Sequence, residues 1–183
     1  MTTIHARIRG TAPLLQNKFS LETVDASKAK KRIYVPEIEA EKLCYRDKNG
    51  RLVHPVEHVY ASMIGAGVDF KFSGRKTYKD VVKAGIVISP EYVPINNSGE
   101  EVKEYKIDTR RVVIQRASVA KWRPRYEDWE LEFNIEIIDE ENIDEKVLKE
   151  ILERAGKFKG LGDYRPRFGR FQVTKWDCIP NKC

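Results

Sequence analysis

Residues 129–137 read Trp-Glu-Leu-Glu-Phe-Asn-Ile-Glu-Ile, and how this stretch folds decides the rest. Trp129, Leu131, Phe133, Ile135 and Ile137 alternate with Glu130, Glu132, Asn134 and Glu136. Successive side chains of a strand point to opposite faces, so the apolar residues share one face and the acidic ones the other. One face must cover a core while the other stays wet, as in an antiparallel sheet packed on one side only.

The neighbouring segments can be placed around this strand. Upstream, Val112 to Ala120 is rich in β-formers and reads as its hairpin partner, with Lys121 to Asp128 as the tip. Downstream, Asp144 caps a helix whose apolar stripe is Val147, Leu148, Ile151 and Leu152, expected to end before Gly156. Phe171, Val173 and Lys175 fit a last strand. At the N-terminus Ile4, Ala6 and Ile8 alternate with His5, Arg7 and Arg9, which predicts a first strand. Pro55 suits a first helical turn, and Val56, Val59, Tyr60, Met63 and Ile64 recur at helical spacing, predicting a helix over 55–66. Thr77 opens a shorter helix stopped by Gly85, and Ile86 to Ile88 is a short strand. Gln16 to Val53 is polar, carries Pro36 and a Lys48-Asn-Gly50 turn signal, and is expected to be an insertion outside the core.

The result is one domain over 1–183, with an insertion at 16–53 and a hairpin extension around 110–128. Without the insertions its order is strand, helix, strand, strand, helix, strand. That is the α+β, ferredoxin-like or RRM-like β-α-β-β-α-β arrangement, a four-stranded antiparallel sheet with two helices on one face. First and third strands are central neighbours there, so Arg7 and Arg9 should face Glu130, Glu132 and Glu136. An acidic central strand makes that sheet face a poor platform for RNA.

Composition is consistent with this scheme. The chain has 183 residues, 34 Lys or Arg against 28 Asp or Glu, and a net charge of +6, enough length for a core without disulfides. No window approaches the roughly 18 to 20 apolar residues of a membrane span, and no signal-like run opens the chain, so a cytoplasmic protein with no membrane partner is expected. Cys44, Cys178 and Cys183 are scattered and form no C-x-x-C pair. No metal and no cofactor is expected, and whether Cys178 and Cys183 pair stays open.

The charge is segregated. Thr109 to Tyr126 holds no acid but contains Arg110, Arg111, Arg116, Lys121, Arg123 and Arg125, and Tyr164 to Trp176 is likewise acid-free with Arg165, Arg167, Arg170 and Lys175. Glu127 to Glu153 between them is strongly acidic. Arg and Lys neutralise phosphates while aromatic rings stack on unpaired bases, so Lys121, Trp122, Arg123, Arg125 and Tyr126 form one candidate single-strand-binding set. Gly160, Gly162, Tyr164, Arg165, Arg167, Phe168, Gly169 and Arg170 form the other. The second set lies in a loop, Gly160 to Phe171, between the last helix and the last strand. Its glycines permit positive φ and close approach of amides to phosphate. It lacks G-K-[ST] and leaves a helix instead of entering one, so it is no Walker loop.

A first strand leading into Gly10-x-x-Pro-Leu-Leu15, and a G-x-G-x-x-R-x-x-x-G loop over Gly160 to Gly169, resemble the RAMP superfamily of CRISPR-associated proteins, in the flavour of its backbone subunits. The same ends are similar to those of small phage and mobile-element proteins. The resemblance implies a binder of crRNA or another single strand, RNA or DNA, polymerising along its ligand or joining effector subunits. It maps the family's loop onto Gly160, Gly162, Arg165, Arg167, Gly169 and Arg170, with the hairpin at 121–126 as a thumb-like extension. Segments 16–53 and 67–110 fall outside it, and the chain is short for a backbone subunit.

Some relatives of that superfamily are metal-independent endoribonucleases with a histidine near the first helix. His54 and His58, four residues apart, are the candidates for general base and acid. The simpler reading makes His54 a helix-entry residue and His58 a surface one, which favours a non-catalytic binder. A phage structural protein that neither binds nor cuts nucleic acid is the third class.

Overall fold

The computed structural model describes residues 2–19, 34–114 and 117–180. The elements begin with β1 (Thr2–Gly10), β2 (Leu14–Leu15), α1 (Pro36–Lys42), β3 (Val53–Pro55) and α2 (Glu57–Gly67). A small hairpin of β4 (Lys71–Ser73) and β5 (Lys76–Thr77) precedes α3 (Tyr78–Gly85) and β6 (Ile86–Ser89). Then come β7 (Tyr92–Pro94), β8 (Asn96–Asn97), β9 (Glu100–Glu101), the long pair β10 (Lys106–Ile114) and β11 (Ala117–Tyr126), β12 (Glu130–Ile137), α4 (Glu145–Phe158) and β13 (Phe171–Pro180).

The main sheet runs β13-β1-β12-β6, antiparallel throughout, with β8 and β9 continuing beyond β12 near Glu130. Fourth, first, third, second is the strand order of the ferredoxin-like arrangement. In the β1–β12 register Ile4 faces Ile135, Ala6 faces Phe133 and Ile8 faces Leu131, all at most 1 % exposed. Arg7 opposes Glu132 and Arg9 opposes Glu130 on the other face, with ion-pair distances of 3.2 and 3.7 Å. These half-exposed pairs add little stability but settle which face is wet.

α2 and α4 pack together on the apolar face. α4 presents Leu148, Ile151, Leu152, Ala155 and Gly156, the i, i+3, i+4, i+7, i+8 stripe of an amphipathic helix, and the Asp144 carboxylate accepts from Lys146 N at 2.7 Å as its N-cap. This helix runs on to Phe158, past the stop expected at Gly156. Gly156 is a crossing point, because a Cβ there would lie 2.2 Å from the carbonyl oxygen of Phe171. On β13 a bulge between the partners of Arg7 and Ile8 skips Thr174, so Phe171 and Val173 face inward before it and Trp176 does so after it.

Three expectations need correction. β11 does not pair with β12, whose two edges are already taken by β1 and β6; it pairs with β10 along Lys106–Ile114 and with β2 at Leu14 and Leu15. Lys121 to Tyr126 is therefore strand, not tip. Residues 115–116 between β10 and β11, which include Arg116, lie outside the described residues. Segment 16–53 is not wholly outside the core: Gln16 is fully buried, and Cys44 and Leu52 join the main apolar cluster. Its middle, 20–33, lies outside the described residues, as does Cys183. His54 sits in β3, ahead of the helix that carries His58. No helix among the described residues is long and apolar enough to cross a membrane.

Candidate nucleic-acid interface

The two motifs at opposite ends of the chain form one backbone unit. Thr11 N donates to Arg170 O, Gly169 N to Pro13 O and Asp163 N to Leu15 O, each at 2.8 Å, and Leu161 N donates to Gly169 O at 2.9 Å. Gly162 and Gly169 hold φ of +69° and +70°, and a Cβ on either would fall 2.3 Å from Leu15 O or 1.9 Å from Leu161 O. Only glycine fits such an approach at such a φ. The amides of Gly160, Asp163 and Gly169 all donate inside the protein. These three amides are therefore already engaged within the protein.

Those side chains divide into two groups. Tyr164, Arg165, Arg167 and Arg170 are exposed, and Arg165 and Arg167 have no ion pair among the described residues. Arg170 folds its Nε back onto Pro166 O at 2.8 Å. Phe168 instead is buried, edge-on to Tyr164, and serves as a floor. The hairpin strands lean against this floor. Arg110 lies 4.7 Å over the Phe168 ring, Arg125 5.7 Å from it, and Arg123 5.8 Å from that of Tyr164.

Most of the hairpin's charge is already neutralised. Asp108 pairs with Arg110 at 2.8 Å and with Arg125 at 3.5 Å, and Arg125 also meets Glu127. Arg123 is only 4 % exposed; its Nε lies 2.6 Å from Asp163 Oδ2 but off-line for a hydrogen bond, and its Nε and Nη1 are both buried without a hydrogen-bond partner among the described residues. Tyr126 is 2 % exposed, with its hydroxyl 3.1 Å from Gln16 Oε1, and is closed to any base. Trp122 is half-buried and stacks on Tyr34, centroids 6.0 Å apart. Burial, then the neighbouring Arg123, lowers the Lys121 pKa.

Between α2 and the loop lies an open concavity of about 560 Å³, lined by Ala61, Ser62 and Gly65 from α2, Phe158 and Lys159 from the end of α4, and Gly162 to Pro166. Ser62 Oγ ties the two sides by donating to Gly160 O at 3.0 Å. Sequence reasoning missed this helix face and Lys159. The signal was present in the small residues Ala61, Ser62 and Gly65, spaced to share one side of a helix.

His54 and His58 do meet. Their rings are T-shaped with centroids 4.8 Å apart, and His58 Nδ1 lies 3.1 Å from His54 Nε2. His54 is fully buried. Burial, then the neighbouring His58, pushes the His54 pKa well below the ordinary value; burial and the charge of Arg165 lower that of His58. Both effects disfavour the imidazolium form. Among the described residues no cluster of three or more His, Cys, Asp or Glu is placed to hold a metal ion.

No family model and no curated protein matches the sequence. Among solved structures, the fold is similar to a chain of the cryo-EM structure of the type III-B Cmr-beta bound to cognate target RNA, with a TM-score of 0.61 and 9 % identity. The match covers 97 % of this chain and 60 % of that one, so the protein spans less than two thirds of its structural neighbour. The likeness is one of fold alone, an α+β, ferredoxin-like sheet.

Proposed function

We propose that the protein binds single-stranded RNA non-catalytically, as a RAMP-like, CRISPR-associated component. The observation that carries this reading is spatial convergence. Two basic, aromatic segments some 40 residues apart in sequence meet at one site, where Arg110, Arg123 and Arg125 of the hairpin brace Tyr164 and Phe168. The bracing presents Arg165, Arg167 and Arg170 outward on a loop that cannot collapse. Cations held apart on a rigid backbone suit a chain of phosphates, and the exposed Tyr164 ring suits a base. Hairpin residues Arg123, Arg125 and Tyr126 act in this reading as struts, and Lys121 and Trp122 as marginal contacts. The wet face of the main sheet, with Glu130, Glu132 and Glu136, stays away from the strand.

The structural neighbour's RNA-bound assembly supports RNA over DNA and effector subunits as partners. Side-by-side copies along the strand belong to the same proposal. A labelled single-stranded oligoribonucleotide titrated into the protein should bind, duplex RNA should bind less, and substitution of Arg165, Arg167 and Arg170 by alanine should weaken binding. Affinity unchanged by the triple substitution overturns the reading. Metal-independent cleavage of that RNA, lost in His54→Ala, would replace it with the endonuclease reading.

A further inference from the structure

Residues 70–83 contain Lys71, Arg75, Lys76, Lys79 and Lys83 against the single acid Asp80, a surplus of four positive charges in a chain whose whole surplus is +6. All five basic side chains are exposed, and none has an ion pair or hydrogen bond among the described residues. On β10 and β11, by contrast, Arg110, Arg123 and Arg125 each lie against a carboxylate. Lys79 and Lys83 stand four residues apart on the solvent side of α3, a spacing at which like charges repel. Asp80 lies beyond ion-pair distance of both.

The cations sit on a braced unit. Ser73 opposes Lys76, so Gly74 and Arg75 form the tip of the β4–β5 hairpin, with Gly74 at φ +57°. Phe72 turns inward, edge-on to Tyr78 with centroids 5.3 Å apart, and strand alternation then turns Lys71 and Ser73 outward. Tyr78 N donates to Phe70 O at 3.0 Å, and Phe70 and Tyr78 both pack on the main core. A Cβ on Gly67 would lie 3.0 Å from Lys79 N, so the start of α3 sits directly on the end of α2. The unit also adjoins the concavity. Asp69, two residues before Lys71, accepts from Arg154 Nε at 2.9 Å and lies 3.9 Å from Lys159 Nζ. Lys159 lines the concavity together with Arg165 of the glycine loop.

We propose that the β4–β5 hairpin and the solvent side of α3 are a second phosphate-contact surface, over which a single strand held at the glycine loop continues past Lys159. The inference rests on the RNA-binding reading and extends its site from the loop to the far end of α2. Five cations spread over a hairpin and a helix match the repeated charge of a nucleic-acid backbone, whereas a compact anion would meet only one or two of them. Contacts of this kind add affinity and position the strand without reading its bases.

The test is anisotropy of labelled oligouridylates of about 4 and about 16 nucleotides. They are titrated into the full chain, the loop variant with Arg165, Arg167 and Arg170 changed to alanine, and a hairpin variant carrying Lys71→Ala, Arg75→Ala and Lys76→Ala. Each phosphate neutralised contributes about 0.7 to the slope of log affinity against log salt, so the hairpin variant should flatten the slope by about 2 for the long oligonucleotide and leave it unchanged for the short one. A companion variant, Lys71→Arg with Lys76→Arg, keeps the charges and should bind the long oligonucleotide as the native chain does. Native affinity of the hairpin variant for the long oligonucleotide, or equal losses for both lengths, overturns the second surface alone. So does a hairpin variant that binds RNA normally but has lost the native chain's binding of polyglutamate, a result that assigns the patch to an acidic protein segment. Absence of RNA binding by the native chain, or RNA binding indifferent to the loop variant, overturns the second surface and the reading beneath it together.

Discussion

Replacing Gly169 by alanine should damage the molecule far more than the loss of one hydrogen atom suggests. At φ +70° an alanine costs about 1–2 kcal/mol in its own backbone. Its Cβ would also stand 1.9 Å from Leu161 O, 2.7 Å from Leu161 C and 2.8 Å from Leu161 N. These are backbone atoms, so the loop itself must move. Moving it breaks Gly169 N to Pro13 O and Leu161 N to Gly169 O, worth about 1 kcal/mol each net of water. The expected loss is about 3–4 kcal/mol, which for a chain of this length lowers the melting temperature by roughly 6–16 °C. Gly99→Ala is the matched control, since Gly99 has φ +85° but nothing within 4 Å of a Cβ. Urea unfolding of both variants separates the two contributions. If Gly169→Ala and Gly99→Ala are equally mild, the glycine loop and the Gly10 to Leu15 segment are not the interlocked unit described above.

Two further outcomes follow from single contacts. Asp144→Ala removes the carboxylate that caps α4 through Lys146 N and should cost about 1 kcal/mol, seen as a melting temperature lower by a few degrees with RNA affinity unchanged. His54 is held uncharged by burial, so below about pH 6.5 the unfolded chain takes up a proton that the folded chain refuses. Stability should therefore fall as pH drops from 6.5 toward 5, with a smaller fall in His58→Gln. A urea midpoint constant across that range would contradict the buried neutral pair.

The period-2 pattern of Trp129 to Ile137 sufficed for the central strand, its wet face and its ion pairs with Arg7 and Arg9, because alternation survives in any context that covers one face. The Asp144 cap and the α4 stripe were legible for the same local reason. The hairpin was not. Pro124 between two arginines has turn chemistry, but here it lies in β11 opposite Ile107, its carbonyl accepting from Gln16 N. Strand pairing was decided by which edges of β12 were already filled, which no local pattern reports. Gly160, Gly162 and Gly169 were legible as positive-φ residues, yet the purpose of Gly162 and Gly169 depends on Leu15 and Pro13, some 150 residues away. Tyr126 and Phe168 looked like stacking platforms by composition, and the fold buries both. Gln16 read as the start of a loop, whereas it is the buried amide that orders His54 and, through it, His58.

The central claim is that Arg165, Arg167 and Arg170 carry phosphate contacts on a braced loop, and the salt dependence of binding measures that count directly. Each phosphate neutralised on a single strand contributes about 0.7 to the slope of log affinity against log salt, so removing three contacts should flatten the slope by about 2. Between 50 and 200 mM salt the native chain should then lose roughly 15- to 20-fold more affinity for a labelled single-stranded RNA than the triple alanine variant does. Parallel salt slopes for the two proteins would contradict the account.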